Sequence, residues 1–79
     1  MAQVSESVRF EVCERDLSND TLTILATEPT LQDAQHRAEI ICRNPAECMW
    51  DRTGDRHWFL RKSIPPLEIF KRSDYSGMP

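Results

Sequence analysis

No hydrophobic run in this 79-residue chain approaches the roughly 20 residues that a membrane-spanning helix needs. Its first residues lack the charged-then-apolar form of a secretion signal, and no internal repeat or low-complexity tract interrupts it. Zinc-finger and C-x-x-C spacings are also missing: the three cysteines, Cys13, Cys42 and Cys48, are odd in number and fit neither pattern. Neither a disulfide framework nor a structural metal is therefore expected, and the setting that fits is a reducing, cytoplasmic one. Motifs for catalysis, cofactor or metal are equally missing, so the expectation is a protein with no cofactor and no chemistry. Its size fits one domain over residues 1–79, with an ordered core over 7–72, a frayed start over 1–6 and a polar tail over 73–79.

What is present is centred on the stretch from Thr30 to Arg43. Thr30 after Pro29 is a helix N-cap, and Asp33 falls where it meets the positive end of the helix dipole. Leu31, Ala34, Ala38, Ile41 and Cys42 recur at helical spacing and form one apolar stripe, which requires a partner surface. Asn44-Pro45 stops the helix, because proline donates no hydrogen bond and pushes its predecessor out of the helical region.

The flanking segments read as strands. Ser7 to Cys13 alternates, with Val8, Phe10 and Val12 directed to the core; Thr21 to Ala26 follows, with Leu22 and Ile24 inward. The turn between them is acidic, carrying Glu14, Asp16 and Asp20. Beyond the helix, Ala46–Trp50 and Arg56–Arg61 read as a hairpin around Thr53-Gly54-Asp55. A three-residue loop places Trp50 opposite Trp58 and Cys48 opposite Leu60, leaving Met49, Asp51, His57, Phe59 and Arg61 on the other face. A two-residue loop moves Trp58 to the opposite face instead. Leu67–Lys71, after Ile64-Pro65-Pro66, is a short fifth strand placed at an edge by its prolines. The predicted fold is α+β: an antiparallel sheet of four to five strands, in the order β-β-α-β-β-(β), with one helix packed on one face.

Charge is uneven. Net charge is -3; residues 1–36 hold seven acids against two bases, and residues 37–79 six acids against eight bases. Met49, Arg56, His57, Phe59 and Arg61, with Phe70 beside them, form a basic and aromatic patch of the composition found at the centres of protein interfaces. The acidic turn of Glu14, Asp16 and Asp20 is a second candidate contact, suited to a basic protein surface. Both indicate a partner that is a protein or ribonucleoprotein complex. Alternatives are a homodimer contact at the patch, its cover by the carboxy-terminal segment, and single-stranded nucleic-acid binding by Arg52, Arg56, Arg61, Lys62, Lys71 and Arg72 with His57 and Phe59. A small enzyme using one of the cysteines with His36 or His57 is a further alternative.

As a whole, this small, acidic chain without an active-site motif, a minimal sheet plus helix with a charged edge, resembles the phage-encoded inhibitors of the anti-CRISPR kind. That resemblance implies a phage protein in the host cytoplasm that occupies a protein surface of a CRISPR effector complex. The acidic hairpin would mimic phosphates there, or the basic aromatic patch would dock elsewhere.

Overall fold

A computed structural model of the chain describes residues 6–75, with side chains described over 8–73; the amino-terminal residues 1–5 and the tail end 76–79 lie outside that range. Five strands and one helix follow in the order β1 (Glu6–Asp16), β2 (Thr21–Glu28), α1 (Leu31–Ile41), β3 (Met49–Arg52), β4 (His57–Arg61) and β5 (Leu67–Tyr75), with a short 3-10 turn over Pro45–Glu47. One sheet takes all five strands in the order β2-β1-β5-β4-β3, and every neighbouring pair is antiparallel. The α+β reading holds, with all five strands present.

Local chemistry fixes the helix as expected. Thr30 Oγ1 accepts from the Asp33 backbone N–H at 3.1 Å, and the stripe packs on the sheet, with Ala34 and Ala38 fully buried, Cys42 buried and Leu31 and Ile41 half-buried. Two alanines at the point of closest approach let the helix lie close to the sheet; a larger side chain there would overpack it. The helix ends at Ile41, earlier than the proline alone dictates. Cys42 turns extended at ψ 136°, and the next N–H, of Arg43, is captured by the Ile64 carbonyl at 2.8 Å.

Beneath the helix lie Phe10 and Val12 of β1, Leu67 and Ile69 of β5 and Leu60 of β4. Trp50 and Trp58 extend this core beyond the helix, and Trp58 packs on Phe10 with ring centroids 5.9 Å apart. The Trp50 indole N–H donates to Glu39 Oε2 at 2.8 Å, joining β3 to the helix and satisfying the one polar atom of that ring.

Several expectations are corrected. β5 is central rather than at an edge, because Pro65 and Pro66 precede the strand and leave every later N–H free to pair with β1 and β4; its run to Tyr75 also takes residues 73–75 out of the presumed tail. Being a sheet strand, β5 does not lie across the aromatic patch as a cover. Leu22 and Ile24 do not face the core: a bulge between the Val12 and Cys13 pairings puts Ile24 opposite Cys13, which reverses the faces of β2 beyond Ala26. Leu22 and Ile24 are accordingly 39% and 56% exposed. In the second hairpin Trp50 pairs with Leu60, not Trp58, so the register is displaced by two residues. That shift preserves parity, so Met49, Asp51, His57, Phe59 and Arg61 still share the face away from the helix.

The radius of gyration is 14.2 Å, against about 12 Å for a compact chain of this length. An elongated sheet with a single short helix covers only one of its faces.

Candidate functional site

The uncovered face of the sheet carries Arg9, Glu11, Cys13 and Arg15 on β1, Glu68, Phe70 and Arg72 on β5, His57, Phe59 and Arg61 on β4, and Met49 and Asp51 on β3. Alternation along each strand sets this membership. Two carboxylates in its centre are nearly buried: Glu11 and Glu68 are each 8% exposed. Burial of a charge is tolerated only with partners, and both have two. Glu11 accepts from Arg72 Nε at 3.0 Å and Arg9 Nε at 3.4 Å. Glu68 takes Arg15 through both carboxylate oxygens, Nη2 lying 3.2 Å from Oε1, and meets His57 Nε2 at 2.6 Å. The other ring nitrogen, Nδ1, is 2.8 Å from Thr53 Oγ1. A chain of polar contacts thus runs from Asp20 through Arg15 and Glu68 to His57 and the β3–β4 turn.

Above this layer the rings are stacked. His57 and Phe70 lie parallel at 4.5 Å with an 11° interplanar angle, Phe59 flanks His57 at 6.0 Å, and the Arg72 guanidinium sits 5.1 Å from the Phe70 centroid. Arg72 therefore both neutralises Glu11 and covers Phe70, which holds a long, flexible side chain in one place. Toward the β3 edge, Arg61 pairs with Asp51 at 3.6 Å and Met49 is 68% exposed.

Arg15 holds the Glu68 carboxyl below its ordinary value of 4.5, against the opposing effect of burial and with help from His57. The unfolded chain then binds the proton first, so stability falls as pH drops from about 4.5 through the lower native value. Glu68→Gln should cost about 1–2 kcal/mol at pH 7 and flatten the acid limb of a pH-resolved thermal melt; an unchanged limb would place the linkage elsewhere.

The two sequence-predicted surfaces fare differently. Met49, His57, Phe59 and Arg61 come together on the open face, with Phe70 between strands; Arg56 lies in the exposed β3–β4 turn beside them. Glu14, Asp16 and Asp20 do not form one acidic cluster. Glu14 is half-buried on the helix side of β1. Asp16 caps the turn by accepting from the Ser18 N–H at 2.9 Å and its hydroxyl at 2.6 Å, and the Ser18 hydroxyl holds its carboxyl below the usual range. Asp20 is paired with Arg15 at 2.6 Å.

For a cysteine nucleophile with His57 as its base the arrangement offers little. Cys13 is 2% exposed and its thiol is pushed up, first by burial and then by Glu11, while both His57 nitrogens meet oxygen atoms. Cys42 and Cys48, which the sequence separates by a helix end and a proline, are in contact. Among the described residues, no group of three or more His, Cys, Asp or Glu is arranged to hold a metal ion.

Sequence reasoning missed Glu11, Glu68, Arg9, Arg15, Leu22 and Ile24 as members of the face. The signal was faint but present: arginine and glutamate alternate with core residues in β1, as Arg9, Glu11 and Arg15, which puts them on one side of a strand. Compared with family models, curated proteins and solved structures, the chain has no significant match in any of the three. Over the described residues the chain is a one-helix, five-stranded antiparallel α+β fold with a polar and aromatic sheet face turned to solvent.

Proposed function

We propose that the protein is a non-enzymatic binding module that docks stoichiometrically on a protein surface through the helix-free face of its sheet. The observation that carries this reading is the Arg72–Phe70–His57 stack set over Glu11 and Glu68. Aromatic and arginine side chains that are already immobilised lose little entropy on binding, and these types dominate interface energetics. Met49 at one margin and Leu22 and Ile24 at the other add exposed apolar area, in the mixture of apolar and paired polar groups that protein interfaces show.

Electrostatics favours a protein over a nucleic acid. Arg9, Arg15, Arg61 and Arg72 are each paired with Glu11, Glu68 or Asp51 on the same face, so the sheet face itself carries little uncompensated positive charge to neutralise phosphates. Rings on the adjacent strands β4 and β5 are what a single-strand platform would use, and salt separates the two. A protein complex should survive nuclease and weaken modestly between 50 and 200 mM salt, whereas nucleic-acid binding loses orders of magnitude over the same range. A steep salt slope with single-stranded oligonucleotides would replace the protein reading. The narrowest form of the proposal follows the resemblance to phage-encoded inhibitors: the partner would then be a CRISPR effector complex in the host cytoplasm. A sizing measurement on the isolated chain tests the homodimer alternative.

A further inference from the structure

Away from the open face, two thiols meet where the helix gives way to β3. Cys42 forms the C-cap of α1 and Cys48 that of the 3-10 turn, and their sulfurs are 3.6 Å apart, in van der Waals contact. One residue orients both: Cys42 Sγ–H donates to Asn44 Oδ1 at 3.2 Å and Cys48 Sγ–H to the Asn44 carbonyl at 3.1 Å. Asn44 is fixed in turn, its amide donating to the Lys62 carbonyl at 2.9 Å and its Oδ1 accepting from the Ile64 N–H at 3.0 Å. The loop is thus held with the sulfurs 3.6 Å apart, and a disulfide bond of about 2.05 Å requires them to approach by roughly 1.5 Å. Cys42 is buried and Cys48 half-exposed, so one sulfur is reachable from solvent and the other waits behind it.

We propose that Cys42 and Cys48 form an oxidisable dithiol site that exchanges with low-molecular-weight disulfides of the glutathione class. The Cys48 thiolate attacks one sulfur of the disulfide, the S–S bond breaks, and one thiolate leaves as a protein mixed disulfide forms. Cys42 then loses its proton and attacks the Cys48 sulfur, expelling the second thiolate. Two protein thiols are oxidised to one disulfide and one small disulfide is reduced to two thiols, so electrons and protons balance. Burial, followed by the contact with the Cys42 thiol, pushes the Cys48 thiol up from its ordinary value, which makes the exchange slow at neutral pH and faster as pH rises. Cys13 takes no part: it is buried on the other face of the sheet.

The test treats the full chain with glutathione disulfide at pH 8, traps free thiols with maleimide, and maps the products by mass spectrometry. The expected result is loss of two hydrogens, maleimide on Cys13 alone after unfolding, a 42–48 crosslink reversed by dithiothreitol, and a melting temperature higher by about 5–15 °C. Cys13→Ser should form the same bond. Cys42→Ser should instead hold one glutathione on Cys48; because Cys42 is buried, Cys48→Ser serves as the second variant and should take up no glutathione. Stable glutathione adducts on the unmutated protein, or three thiols still free after exposure, would overturn the proposal.

Discussion

Ile69→Ala is expected to remove much of the stability of the domain. Ile69 is fully buried on the central strand β5, opposite Val12 on one side and Trp58 on the other, so no neighbour can collapse into the space without moving a strand. Such truncations cost about 2–5 kcal/mol, and a chain of this size has on the order of 4–12 kcal/mol in total. With each kcal/mol worth about 4–8 °C in a small domain, a thermal melt should shift down by tens of degrees. Trp58→Ala should approach this effect, because it exposes Phe10 and opens the end of the core that the helix does not reach. Leu17→Ala, at the 75% exposed hairpin tip, should stay within about 0.5 kcal/mol of the parent. A mild Ile69→Ala phenotype would mean that β5 is not the strand on which the core is assembled.

The second large effect concerns binding. Phe59→Ala with Arg61→Ala should weaken partner association at least tenfold, the equivalent of about 1.4 kcal/mol, and leave the melting temperature nearly unchanged. Both residues lie on the open face, and Arg61 is joined only to the exposed Asp51 in a pair of little consequence for stability. Phe59 stands beside His57 rather than beneath the helix, so its removal trims the surface and spares the core. If Phe59→Ala unfolds the protein as badly as Trp58→Ala, the ring is structural and the face is not a ready docking surface.

How much of this could be read from residues alone depends on distance along the chain. Thr30, Asp33 and the Leu31–Cys42 stripe are local features, governed by one period and one cap, and they were legible almost to the residue. The face shared by Met49, His57, Phe59 and Arg61 was legible as well, because parity within a hairpin survives a two-residue error in register. Long-range pairing was not. The Arg15–Glu68 and Arg72–Glu11 pairs join residues 53 and 61 positions apart, and they exist only because β5 inserts between β1 and β4. Proline composition suggested the reverse, since it marks where a strand can start but not which neighbours it finds. The bulge at β2 is invisible for a related reason: a strict alternation of Leu22, Ile24 and Ala26 is indistinguishable from an unbroken strand until the partner register is known. The acidic turn was read as free charge because Arg15 and Ser18, which consume Asp20 and Asp16, act through geometry rather than composition.

The measurement that bears most directly on the function is a paired capture from nuclease-treated native lysate. The tagged 79-residue chain, a Phe59→Ala/Arg61→Ala variant and a Gln32→Ala/His36→Ala variant on the exposed side of the helix would be compared. The account predicts one protein assembly, held in fixed stoichiometry by the parent and the helix variant and lost by the sheet-face variant. Retention by the sheet-face variant with loss by the helix variant, or disappearance of all capture on nuclease treatment, would contradict it.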